Sequence, residues 1–386
     1  MMIIVHTDIC EQTDLVLGIP MHWPDLPDDH PTPSLVIHRP TVRDNLQRMQ
    51  EYCNAHALRL RPHTKTHKSL WMADQQIALG ASGLTVAKAG EARVMSHICR
   101  NILVAYPAVG TKRIRDLVAV ARDAEVTVGI DSLEAALQLQ SVAMQAGVTL
   151  GILIDLEVGF FRTGVLDTSS ALALGHAIQS MSHLKFCGLM CFPGHLLPSS
   201  PPEAWARYAE SLQNIIEQFA ESSIPVETVS GGSTPTAVAS HRNPFLNEIR
   251  PGTYIYNDLN EVRLGVATLE QCAARVVATV VSVPSKRKFI IDAGSKTLSS
   301  DRNCVDDQSG FGMVIEYPSA KITRLSEEHG EVVLPENSEI PLPRVGERVS
   351  VIPNHICVCV NLQNSFYLLD SDSLIEYPVD ARGLLT

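Results

Sequence analysis

Eight short runs of apolar and often β-branched residues lie between Leu58 and Tyr254, and longer stretches with a helical repeat of apolar positions separate them. The runs are LRLRPH (58–63), GLTVA (83–87), NILVAYP (101–107), EVTVGID (125–131), LGILIDLEVG (150–159), KFCGLMCFPG (185–194), VETVSGG (226–232) and EIRPGTY (248–254). Residues 110–123, 132–146, 167–181 and 202–222 carry the clearest helical period. Near-continuous apolar strands that alternate with helices imply a parallel sheet buried on both faces. Eight such units over roughly 225 residues fit a closed (β/α)8 TIM barrel, which takes about 250 residues, better than an open sheet.

From about residue 265 the texture changes. ARVVATVVSVPSKRKFIIDAG, GFGMVIEY, KITRL, RVSVIP and ICVCVNLQNSFYLL are strand-like runs broken by turn residues, which predicts a C-terminal all-β domain over 265–386. Ahead of the barrel, residues 1–33 are rich in Pro, Asp and His and read as an irregular lead-in that packs on another domain. The barrel is then expected over 34–264.

A net charge of -11 argues against nucleic acid or an anionic membrane as partner, and leaves room for an anionic small molecule in a local pocket. Nine cysteines without regular spacing read as reduced thiols. The N-terminal apolar run is short and lacks a basic lead, and no run reaches the length of a membrane span. The expectation is a soluble, cytoplasmic protein.

Barrel chemistry gathers at the C-terminal ends of the strands. The first strand ends in RPHTKTHK, which puts Lys65 there with Arg61, His63 and His67 around it. A lysine must be neutral to attack an aldehyde, and nearby cations favour that state. Taken alone, the stretch also reads as a basic, solvated loop. After strands seven and eight come Gly232-Ser233-Thr234 and Gly252-Thr253-Tyr254. Glycines let backbone N–H groups approach an anion, hydroxyls add donors, and these two loops are the usual phosphate site of such barrels. Tyr256 and Asp258 follow directly, with a supporting role or a structural one. His195 ends the sixth strand, after a Pro-Gly turn, at the same mouth.

PNHICVCVNL (353–362) reads as a strand, on which His355, Cys357 and Cys359 share a face. An imidazole and a thiolate suit Zn²⁺ best, and a two-residue set leaves positions open for water and substrate. The same pattern describes a buried strand with small thiols.

RPHTKTHK, GLTVAKAGEARVM (83–95), VSGGSTPT (229–236) and RPGTYIYND (250–258) together resemble, in order, the motif series of the fold-type III pyridoxal-phosphate enzymes of the D-threonine aldolase and D-serine dehydratase group. The resemblance runs over about 35–370. It implies an alanine-racemase-like barrel with a C-terminal β domain, and pyridoxal 5'-phosphate bound to Lys65 as a Schiff base. His63 then flanks the cofactor lysine. Arg162, in LEVGFFRTG, resembles the family arginine near the cofactor ring, where a guanidinium keeps the ring nitrogen unprotonated. His195 resembles a histidine that family aldolases place near the substrate hydroxyl. The family pattern P-x-H-x-C or P-x-H-x-D selects His355 and Cys357 as ligands of a divalent metal, Zn favoured, with Mn or Mg as alternatives. Asp301 and the LSEEHG string with His329 are family-like too, and are expected to support the site or dock the domains.

The resemblance implies a lyase acting on a β-hydroxy-D-amino acid. The H-x-C version resembles the dehydratases, giving a 2-oxo acid and ammonia, and the H-x-D version the aldolases, giving glycine and an aldehyde. His355-Ile356-Cys357 favours the dehydratase. An amino-acid racemase and a non-catalytic pyridoxal-phosphate-binding protein are further alternatives. A head-to-tail homodimer is the family expectation.

Overall fold

The computed structural model describes residues 23–305, 307–371 and 373–386. Its strands in chain order are β1 (Ser34–His38), β2 (Arg59–Leu60), β3 (Leu84–Val86), β4 (Asn101–Val104), β5 (Glu125–Ile130), β6 (Leu150–Leu156), β7 (Leu184–Cys191), β8 (Thr228–Gly231) and β9 (Glu248–Ile249), then β10 (Ala274–Ser285), β11 (Lys288–Ile291), β12 (Gly312–Val314), β13 (Lys321–Leu325), β14 (Gly330–Val333), β15 (Arg348–Pro353), β16 (Ser365–Asp370) and β17 (Ser373–Pro378). The helices are α1 (Arg39–Ala55), α2 (Leu70–Ala78), α3 (Ala89–Met95), α4 (Thr111–Val120), α5 (Leu133–Ala146), α6 (Thr168–Gln179), α7 (Pro202–Glu221), α8 (Thr234–Ala237), α9 (Leu259–Arg263), α10 (Ser295–Leu298) and α11 (Ile356–Leu362).

Strands β2 to β9 overlap the eight runs read from the sequence, and each is followed by one helix. They pair in parallel in the order β2-β9-β8-β7-β6-β5-β4-β3. The ring closes just past β2, where His63 bridges Thr85 in parallel. There Thr64 N donates to Thr85 O at 2.8 Å and Thr85 N to Pro62 O at 2.9 Å. The result is a (β/α)8 barrel. Its helices show why they form: α7 buries Trp205, Tyr208, Leu212 and Phe219 along one stripe and leaves most of the rest to solvent. Asp167 caps α6 by accepting from Ser170 N, and α5 stops at Gly147, whose φ of 67° is the left-handed conformation that a helix end favours.

One strand falls outside its expected place. β1, at the start of the stretch assigned to the barrel, lies in the second sheet, antiparallel to β10 and parallel to β16. Eight strands already close the barrel, so this fully buried strand satisfies both its edges between β10 and β16. Helix α1 then carries the chain back to β2. Of the lead-in, Trp23 and Leu26 pack on Val36, Val277 and Leu369. The Arg348 guanidinium also donates to the carbonyls of Pro27, Asp28 and His30. Residues 1–22 lie outside the described residues.

The second sheet runs β13-β14-β11-β10-β1-β16-β17, with β15 pairing both β10 and β12. The domain is mostly β, and the stretch expected as the His355 strand is the helix α11. Residues 356, 359 and 360 of α11 are the buried ones, an i, i+3, i+4 pattern, and His355 is the residue before the first turn. The short apolar run concealed a helix because period alone does not separate the two in so few residues.

One hydrophobic core runs through both domains. Backbone bonds sew the seam: Ala381 N to Lys68 O at 2.9 Å, Gly90 N to Thr386 O at 3.1 Å, and Asn260 N to Asn354 O at 3.1 Å. Lys68 and Asn260 follow β2 and β9, so the seam borders the barrel mouth. No helix among the described residues is long and apolar enough to cross a membrane.

Candidate active site

A cavity of about 540 Å³ opens at the C-terminal ends of the barrel strands, with walls from both domains. Lys65 and His63 line it after β2, Gly232, Ser233 and Thr234 after β8, and Gly252 and Thr253 after β9; His355 and Cys357 reach it from the second domain. The structure thus brings most of the sequence-selected residues to one space.

Of the motif lysines, Lys65 alone lines the cavity. Lys68 is buried and ion-paired to Glu91 at 2.6 Å, and Lys88 Nζ sits 3.3 Å above the Tyr106 ring. The neighbouring cations divide. Arg61 points into the barrel, its Nε donating to Glu248 at 2.9 Å. His67 turns away to bond Gln76 at 3.2 Å, and burial pushes its imidazole down to about 4. His63 stays on the cavity; burial, then Lys65 and Arg250, holds it well below its ordinary range, so it is neutral.

The glycine turns have the close packing that an anion cradle needs. A Cβ on Gly252 would meet Thr66 Oγ1 at 2.8 Å and His63 O at 2.9 Å, and Gly232 has a φ of +75°. Ser233 opens the one-turn α8 as its cap residue. Tyr254 departs from expectation: its side chain is buried behind the turn, where its hydroxyl accepts from Gln76 at 3.1 Å, and its N–H donates to Thr234 Oγ1 at 3.1 Å. It supports the cradle from outside the cavity. Tyr256 is fully buried.

Two arginines line the cavity. Arg162 is exposed on the rim, its guanidinium 4.5 Å from the Phe192 ring centre and 5.4 Å from that of Phe160. Arg250, not marked as a site residue by the sequence motifs, is the buried and fixed one. It donates to Ser230 Oγ at 2.7 Å and to Cys191 O at 2.9 Å, and Ser230 in turn donates to Glu248 at 2.6 Å. Asp155, near the end of β6, also lines the cavity; burial raises its carboxyl although Thr163 donates to it at 2.8 Å. A charged residue at the C-terminal end of a barrel strand was the available signal for both.

His195 is not among the cavity residues. The Pro193-Gly194 turn carries it past the mouth, where its ring covers Gly159; a Cβ there would lie 2.7 Å from the imidazole. Asp301 binds within the second domain, its carbonyl accepting from Asn354 at 3.1 Å, and His329 is exposed in the β13–β14 turn. Neither lines the cavity.

The helical form of 356–362 decides between the two thiols. Successive residues of a helix turn by about 100°, so positions two apart point in nearly opposite directions. Cys359 faces inward, donates to Thr297 O at 3.0 Å, and is pushed up to about 12 by burial. Cys357 faces the cavity, 3.2 Å from Thr66 Oγ1. Burial raises its thiol, but His355, Lys65 and Thr66 outweigh that and hold it below its ordinary value. The Cys357 thiolate, against burial and with help from Asp258, pushes His355 up to about 11. His355 Nδ1 donates to Asp258 Oδ2 at 3.0 Å, so Nε2 is the nitrogen that would exchange its proton for a metal. An imidazole and an anionic thiol of this kind form a donor set for a borderline-soft divalent ion. Among the described residues no group of three or more such side chains is gathered closely enough to hold an ion. Glu261 of α9, unforeseen from sequence, lines the same end of the cavity.

Comparison with known proteins agrees with the fold. Residues 37–260 match the family described as "Alanine racemase, N-terminal domain" and residues 273–369 the one described as "Putative serine dehydratase domain". The chain is 28% identical to a D-threonine aldolase of Arthrobacter sp., over 96% of this chain and 98% of that enzyme. It is 29% identical to the D-threo-3-hydroxyaspartate dehydratase of Delftia sp., over 89% of this chain and 96% of that one. Among solved structures, the D-threonine aldolase of Filomicrobium marinum superposes with a TM-score of 0.85 at 28% identity, covering 95% of this chain and all (100%) of the other.

Proposed function

Since this chain belongs to the fold-type III pyridoxal-phosphate lyases of the D-threonine aldolase and D-serine dehydratase group, built on the alanine-racemase-like barrel, we propose that it eliminates water from a β-hydroxy-D-amino acid to give a 2-oxo acid and ammonia. The observation that carries the reading is the His355/Cys357 pair opening on the same cavity as Lys65. A thiolate beside the imidazole, where the family's aldolase pattern has a carboxylate, favours elimination over carbon–carbon cleavage.

Pyridoxal phosphate, when bound, supplies an electron sink that acidifies the α-hydrogen, and a divalent ion supplies Lewis acidity at the β-oxygen. The cavity's own residues do the rest. Lys65 would hold the cofactor aldehyde, and its Nζ, when free, is the base available to take the proton from Cα. Ser233, Thr234 and Thr253 with the backbone at Gly232 and Gly252 hold the phosphate. Arg250, fixed by Ser230 and Cys191 O, presents a guanidinium to the ring more firmly than the exposed Arg162 does; we assign the ring nitrogen to Arg250 and the rim to Arg162. His63, neutral, crowds the lysine without adding charge. His355 and Cys357 hold the ion, and Asp258 fixes the imidazole that binds it. Met190, Phe192 and Tyr106 give the cavity apolar walls.

The test is to incubate the holo-protein with D-serine, D-threonine, β-hydroxy-D-aspartate and an aryl-D-serine, and assay ammonia and glycine together. Ammonia without glycine is expected. Glycine without ammonia makes the chain an aldolase, and racemisation of D-alanine with neither product removes both lyase readings.

A further inference from the structure

Glu261 is 5% exposed and lines the cavity beside His355 and Cys357, yet its Oε2 has no hydrogen-bond partner among the described residues. A buried acceptor left unpaired costs free energy, so such an atom calls for a donor that the protein alone does not supply. The backbone fixes where the carboxyl sits. Asp258 caps α9 by accepting from Glu261 N at 3.1 Å, while its other oxygen holds His355 Nδ1 and Ile356 N, each at 3.0 Å. One aspartate therefore sets Glu261 and the His355–Cys357 helix in fixed relation. Glu261 is not gathered with them closely enough for direct ligation.

We propose that Glu261 is a positioning residue for the metal: its Oε2 accepts a hydrogen bond from the hydration shell of the ion held by His355 and Cys357. Two protein ligands leave at least two positions of a divalent ion to water. Those waters are strong donors, and Glu261 supplies the buried acceptor that faces them. The inference rests on the reading of His355 and Cys357 as ligands.

The experiment is a competition titration against a fluorescent chelator. Holo-protein stripped of metal is titrated with Zn²⁺ and with Mn²⁺ as wild type, Glu261→Gln and His355→Ala, while the visible absorbance of the lysine-bound cofactor and the thermal melt report on the fold. Loss of an outer-shell partner weakens metal affinity by roughly 10- to 100-fold, and E261Q is expected to show that loss with its cofactor band retained. Wild-type affinity in E261Q, alongside abolished binding in H355A, overturns the role of Glu261 and leaves the ligand pair standing. Equal affinity in wild type and H355A overturns the ligand pair itself. Should E261Q not hold cofactor, Glu261→Asp carries the same test, since it keeps the charge and retracts the oxygen; unchanged affinity there also overturns the proposal.

Discussion

Asp258 Oδ2 accepts from His355 Nδ1 at 3.0 Å across the domain seam, so a residue of the barrel sets the orientation of an imidazole on the second domain. The same carboxylate caps α9 through its other oxygen.

Asp258→Asn should therefore separate two roles. An asparagine keeps the cap through its one carbonyl oxygen but turns an amide NH2 toward His355 Nδ1 and Ile356 N, so the melting temperature is expected to fall modestly while α9 persists. Metal affinity and turnover should fall by about 10- to 100-fold because the imidazole loses its anionic partner. Chelator competition and steady-state kinetics measure the two effects, and a variant that melts far lower with intact metal affinity would reverse the assignment.

The lysines of RPHTKTHK make opposite predictions. Lys65→Ala should abolish the visible absorbance of the lysine-bound cofactor without a large loss of stability. Lys68→Met strands the buried Glu91 that pairs with it at 2.6 Å, and removing one partner of a buried pair costs about 3–5 kcal/mol. It should lower the denaturation midpoint sharply; the cofactor band should persist at temperatures where the variant stays folded.

The two thiols should behave as differently as their burial. Cys357→Ser is expected to lose turnover and metal binding while keeping the cofactor band, as is wild type after treatment with a strong chelator. Cys359→Ser should keep its turnover, since Cys359 faces Thr297 and the core. Retained turnover after complete metal removal would end the metal reading.

Acid should destabilise the fold through His67. Its ordinary value is 6.5, and in the folded protein burial holds it at about 4. Between those values the unfolded chain binds a proton that the folded chain refuses, so stability rises with pH across the window and falls as pH drops through it. The contribution of this one side chain is about 3 kcal/mol by pH 4. Denaturant melts from pH 4 to 7 on wild type and His67→Gln should show a shallower pH slope in the variant.

The sequence carried the barrel well because its signal is redundant. Eight apolar runs of strand length, separated by amphipathic stretches, leave few alternatives, and β2 to β9 all fall within reach of them. Lys65 and the glycine turns were legible because they sit at strand ends, where topology alone decides which way they face. What stayed hidden depended on period over a few residues or on folding between distant segments. Residues 356–362 have too few positions to separate a strand from a helix, yet that difference sends Cys357 and Cys359 apart. His195 obeyed its strand but not its turn. Glu261 and the His355 pair come from segments some hundred positions apart, joined by Asp258, and no local pattern announces that meeting.

The place of β1 between β10 and β16 also governs how the molecule can be made. Its parallel partners, Tyr367 to Leu369, lie beyond the whole barrel in the chain, so β1 waits with one edge open until all of the barrel and most of the second sheet have been made. A gene cut near residue 265 would strand β1 on the barrel fragment and leave a slot in the other. Neither half should be recoverable as a soluble piece, whereas the two halves produced together should find each other through that one strand.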